Sequence, residues 1–75
     1  GVLSLDIVER LLHVQRGLCA NCRGKPGLFH LDHIMPLALG GVNEDTNVQL
    51  LCAPCNLRKI AAHPIDFARQ EGRLL

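Results

Sequence analysis

The chain has no tryptophan, no tyrosine and only two phenylalanines, Phe29 and Phe67. With so little aromatic bulk, 75 residues are short of the apolar core that sustains a small domain unaided. Long apolar runs are missing too. None approaches the roughly 20 residues that span a bilayer, and the interrupted opening Gly1-Val2-Leu3-Ser4-Leu5-Asp6 is not a signal peptide. An excess of one charge is also lacking. Eight Lys+Arg face seven Asp+Glu for a net charge of +1, which excludes a protein that coats nucleic acid by electrostatics alone. Repeats and low-complexity tracts are absent, and 48% hydrophobic residues exclude a disordered tail.

What the chain has instead is four cysteines, in the pairs Cys19-Ala20-Asn21-Cys22 and Cys52-Ala53-Pro54-Cys55, separated by 29 residues. A C-x2-C turn aims two thiolates at one point, and two such turns complete a tetrahedral zinc site. The separation exceeds the roughly 15–20 residues of a simple zinc ribbon, so something sizeable is inserted between the halves. Two disulfides in a secreted mini-protein, or free redox thiols, are the alternatives. One Zn²⁺ on four thiolates would take two units off the net charge, and a second divalent cation would restore them. Such a zinc is closed to chemistry, and its work is structural.

Around these pairs the pattern predicts a single α+β domain over residues 1–75. Ser4 is a candidate N-cap for a helix over Leu5–Arg16, with Ile7, Leu11 and Leu12 as core and Gly17 as its stop. His13 falls on its solvent side. Leu18–Gly27 reads as a knuckle and turn, Leu28–Ile34 as a strand closed by Pro36, and Leu39–Asn47 as a loop. Val48–Leu51 reads as a second strand, Asn56–Ala62 as a helix ended by His63-Pro64, and Ile65–Glu71 as a last short helix.

The insertion carries Asp32-His33-Ile34-Met35-Pro36-Leu37, then Gly40-Gly41, then Asn47, and is followed by Cys55-Asn56-Leu57-Arg58-Lys59. Each piece alone is weak. In this order, framed by two knuckles, the set resembles the HNH endonucleases of the His-Me finger (ββα-metal) class, over a motif core from Cys19 to Lys59. The resemblance implies a small ββα-metal domain with a leading helix. His33 matches the general base and Asp32 a ligand of the catalytic metal. Asn47 matches the residue that holds the loop and helps orient the histidine. Asn56 stands at the third position, which makes this an H-N-N variant. The resemblance further implies one catalytic Mg²⁺ or Mn²⁺ beside one structural Zn²⁺, and DNA, in duplex form, as partner. It also implies a bacterial or phage-infected cytoplasm and a separate targeting domain or partner protein. The apolar ends fit an excised domain or a very small phage or bacterial protein.

The chemistry of the residues agrees. Deprotonating water near neutral pH suits imidazole, and one carboxylate with one amide oxygen suits Mg²⁺. Some relatives carry a further ligand four residues beyond the third position; here that residue is Ile60, which favours Mg²⁺. Arg58 and Lys59 are the expected phosphate contacts. Arg23 and Lys25 either touch DNA or are simply solvated. His30, two residues before Asp32, either assists the metal or is an ordinary strand histidine. Asn56 could instead be a plain helix N-cap, and His63 is more readily a helix-end cap than a site residue. Neighbours on a regular strand face opposite sides, so Asp32 and His33 share a site only if the backbone bends. The competing function is a zinc-ribbon-like module that binds nucleic acid or protein without cutting.

Overall fold

Ile7, Leu11 and Gln15 recur at helical spacing, and in the computed structural model, which describes residues 1–61, they lie on or at the end of helix α1, Ile7–Val14. The helix is shorter than the expected Leu5–Arg16 for a physical reason. Ser4 does not cap it. Instead the Ser4 N–H and hydroxyl donate to the two carboxylate oxygens of Asp45, at 2.9 and 2.5 Å. Asp6 takes the N-cap position without a side-chain cap bond. At the other end Arg16 and Gly17 enter left-handed backbone, with φ of 57° and 70°.

Strands β1 (Phe29–His33) and β2 (Val48–Cys52) pair antiparallel, with Phe29 opposite Cys52 and His33 opposite Val48. β2 is buried along its whole length, whereas β1 is mostly half-buried. Helix α2, Ala53–Ala61, follows β2 without a break. It starts three residues before the expected Asn56, because the second knuckle is itself the first helical turn. Pro54 fits there, where no N–H donor is needed. Asn56 is therefore inside the helix, and the N-cap reading of it is corrected. The expected last helix and His63 lie outside the described residues.

The architecture is a small α+β fold in the order α1-β1-β2-α2. The long β1–β2 connection holds two 3-10 turns, Leu37–Leu39 and Asp45–Asn47, where the sequence predicts only loop. It folds tightly back on itself: a Cβ on Gly41 would stand 1.9 Å from the Met35 carbonyl oxygen. No helix among the described residues is long and apolar enough to cross a membrane.

Among the described residues the buried apolar ones are Ile7, Cys19, Val48, Leu50, Leu51, Cys52 and Cys55. Of the expected helix core, Ile7 is buried and Leu11 half-buried, but Leu12 remains 37% exposed. α1 is held less by leucine packing than by one amide. Gln15 Oε1 accepts from the Leu50 N–H at 2.9 Å, and Gln15 Nε2 donates to the Leu50 carbonyl at 3.0 Å and to that of Leu18 at 2.8 Å. Together with the Ala20 N–H, 3.0 Å from the same Leu50 carbonyl, Gln15 completes the edge of β2 that β1 leaves unpaired. Removing it strands a buried backbone N–H. Gln15→Ala is expected to lower stability by about 2 kcal/mol, read as a lower urea midpoint with an unchanged slope.

Candidate functional site

Each C-x2-C pair bends its chain so that backbone N–H groups point at sulfur. The Asn21 and Cys52 N–H groups lie 3.4 and 3.3 Å from Cys19 Sγ, and the Gly24 N–H lies 3.3 Å from Cys22 Sγ. The Asn21 side-chain amide and the Arg58 guanidinium approach Cys55 Sγ at 3.5 and 3.7 Å. All four sulfurs lie within 4.8 Å of one another. Cys22 and Cys52 Sγ stand 3.8 Å apart, which is about the edge of a tetrahedron built on 2.3 Å Zn–S bonds. The cysteines are positioned to bind one zinc ion.

Two of these thiols are shifted in opposite directions. Burial raises the Cys19 thiol, yet the N–H groups of Cys52, Cys22 and Asn21 outweigh it and bring it down to about 6. The Cys55 N–H favours a thiolate at Cys52, but burial and the neighbouring sulfurs Cys55, Cys19 and Cys22 prevail and push it up to about 12. At neutral pH without metal, Cys19 is thus ionised and Cys52 holds a proton that zinc must expel. Zinc binding is expected to release protons at pH 7, and apparent affinity to climb as pH rises from about 6. Calorimetry in buffers of differing ionisation enthalpy measures both, and mass spectrometry should find one zinc per chain.

Next to this centre, β1 and α2 face each other across a cleft of about 430 Å³, lined by Leu31, Asp32, His33, Pro36, Leu37, Asn56, Lys59 and Ile60. Leu31, Asp32 and His33 are consecutive on β1, and all three contribute to its lining. The Ile34 N–H then bonds to the Asn47 carbonyl at 2.8 Å. Asp32 Oδ2 accepts from Lys59 Nζ at 2.5 Å and from Gln49 Nε2 at 2.9 Å, Gln49 being its partner across the sheet. Asn56 contacts His30, its Nδ2 2.7 Å from His30 Nδ1. With the amide nitrogen donating there, the Asn56 carbonyl oxygen is left as an acceptor. His30 thus meets the cleft through Asn56 and does not line it.

Asn47 lies off the cleft. Its Oδ1 accepts from the Met35 N–H at 2.9 Å, and its Nδ2 donates to the carbonyls of Met35 and Val42 at 3.0 and 2.8 Å, tying both arms of the loop. The residue that touches His33 is Asn43, with Oδ1 2.8 Å from His33 Nε2. Asn43, Gln49 and Gln15 have no sequence signal of their own. A strand register would have placed Gln49 opposite Asp32, but nothing short of the folded loop places Asn43.

Lys59, expected as a phosphate contact, lines the cleft but is only 7% exposed. Beyond Asp32, its ammonium donates to the carbonyls of His33 at 2.6 Å and Ile34 at 3.3 Å. A buried ammonium needs an anion and acceptors, and the end of β1 supplies both. Arg58, Arg23 and Lys25 are exposed, and none lines the cleft. Lys59→Ala is expected to destabilise the zinc-loaded protein by about 3 kcal/mol. Adding Asp32→Asn to a Lys59→Met background should cost little more, as denaturant midpoints would show.

The donor set can be weighed for a catalytic ion. Among the described residues the only group of three or more His, Cys, Asp and Glu side chains able to hold a metal is the four cysteines. The cleft offers one carboxylate and one amide oxygen on facing elements. That set fits Mg²⁺ or Mn²⁺, hard ions that keep several waters and take few protein ligands, and does not fit a second zinc.

Residues 18–71 match the model of a family described as HNH endonuclease. No curated protein matches the chain.

Proposed function

The chain belongs to the HNH endonuclease family, and from that premise we propose that it is a metal-dependent endonuclease hydrolysing phosphodiester bonds in duplex DNA. One observation carries the reading: Asp32, His33 and Asn56, drawn from β1 and α2, line a single cleft.

In this reading His33 is the general base. It takes a proton from a water, whose oxygen attacks phosphorus as the bond to the 3′ oxygen breaks, giving a 5′-phosphate and a 3′-hydroxyl. Asp32 and Asn56 hold a divalent ion, Mg²⁺ or Mn²⁺, which when bound supplies positive charge beside the leaving oxygen. Lys59 and Gln49 fix the Asp32 carboxylate, and His30 fixes the Asn56 amide, so both ligands are oriented before an ion arrives. Arg58, with Arg23 and Lys25 further off, is the local source of phosphate contacts. So few cations give weak binding, and targeting then falls to another domain or a partner protein.

Nicking of supercoiled plasmid tests the proposal. Cleavage should appear with Mg²⁺ or Mn²⁺ and vanish with EDTA under conditions that leave zinc bound. His33→Ala should slow it by about 10²–10⁴-fold while the fold persists. Asn56→Ala should raise the metal concentration required, and it is a cleaner test than Asp32→Ala, which would also leave Lys59 buried without its anion. Equal nicking by His33→Ala and wild type would sink the proposal and leave a binding module.

A further inference from the structure

His33 can serve as a base only through a nitrogen that carries a lone pair, and the residue touching its ring is outside the D-H-N-N set. We infer that Asn43 is a positioning residue that fixes His33 in the tautomer protonated on Nε2, leaving Nδ1 as the basic nitrogen. The inference rests on the reading of His33 as the base and says how that base is prepared.

The geometry begins with the amide. Asn43 Oδ1 lies 2.8 Å from His33 Nε2, while Asn43 Nδ2 faces the Gly1 carbonyl oxygen at 3.5 Å. A carbonyl can only accept, so the Gly1 side belongs to the NH₂ group and the His33 side to the amide oxygen. An amide oxygen likewise only accepts, so the hydrogen between Asn43 and His33 sits on Nε2. In a neutral imidazole that leaves the lone pair on Nδ1.

The loop around Asn43 is built to hold this contact. Gly40 has φ of 91°, and Gly41 packs so closely on the Met35 carbonyl that a Cβ there would stand 1.9 Å from its oxygen. The Asn47 side chain then bridges Met35 and Val42, the residue before Asn43. Asp45, two residues beyond Asn43, is clasped by Ser4 and by Arg10. Gly1, Ser4 and Arg10 all precede the family-matched residues 18–71. The leading segment therefore braces the loop that presents Asn43.

The test reads the tautomer directly and separately from cleavage. Zinc-loaded protein with ¹⁵N-labelled histidine is studied by long-range ¹H–¹⁵N correlation, in the high-pH range where the His33 ring-nitrogen shifts no longer change with pH. Wild-type His33 should show a protonated Nε2 and a bare Nδ1. Asn43→Ala should shift both ring nitrogens toward averaged values and lower kcat for plasmid nicking on the order of 10- to 100-fold, with KM for DNA little changed. Asn43→Asp, which can only accept, should keep the wild-type tautomer and most of the activity. A wild-type His33 protonated on Nδ1, or an Asn43→Asp variant with the tautomer reversed, would overturn the inference. So would an Asn43→Ala variant with both tautomer and kcat unchanged. Failure of the nuclease reading looks different: the tautomer is as stated, but His33→Ala cuts as well as wild type.

Discussion

Four sulfur atoms brought within 4.8 Å of one another set the terms for the rest of this structure. Three of the seven buried apolar residues among those described are cysteines, so the thiolate centre is a large part of that core and not a staple added to one. Cys19 and Cys52 are shifted in opposite directions, one thiol drawn down by N–H groups and the other driven up by burial and its sulfur neighbours. With a divalent ion on these sulfurs, the metal's binding free energy becomes folding free energy. That is how a chain with two phenylalanines and no larger aromatic holds a defined fold.

The centre also fixes where the cleft is. Cys52 ends β2 and Cys55 lies in the first turn of α2, so a metal on these sulfurs sets the angle at which the helix leaves the sheet. Asn56 is the next residue, and Lys59 lies one turn further on, over the end of β1. The Lys59–Asp32 pair then closes the helix onto the strand from its far end. An unpaired ammonium at that depth would cost several kcal/mol, which makes one relative placement of β1 and α2 preferable to its alternatives. Buried ion pairs add little net stability over apolar packing, but this one specifies geometry at a site where geometry matters.

The knuckles, the two strands, both helices and the family resemblance were legible in residue types and spacing, because metal turns and hydrophobic periodicity are local signals. What was not legible depends on contacts distant in sequence. Ser4 reads as a cap until Asp45, 41 residues away, takes its hydroxyl. Leu12 reads as core until α1 docks through the Gln15 amide and leaves that leucine partly exposed. Lys59 reads as a phosphate contact from its place after the third motif position, and only the fold shows its ammonium already paired with Asp32. Strand alternation alone would have separated neighbours, yet Leu31, Asp32 and His33 all line the cleft.

With Lys59 committed to Asp32, the electrostatics of the cleft change. The ammonium neutralises the one carboxylate that lines it, and the remaining basic side chains named above are exposed and off the cleft. Much of the lining is apolar, from Leu31, Pro36, Leu37 and Ile60. Such a cleft has little of its own with which to attract a polyanion, so in the proposed reaction attraction at the phosphate would come chiefly from a divalent ion. On the proposed reading, ion and nucleic acid would each favour the other's binding, because each supplies the counter-charge the other lacks, and by linkage the coupling would be equal in both directions. A site so arranged would be nearly inert toward DNA until its metal is present, and a metal held by only two protein oxygens would stay loosely bound until a phosphate joins it.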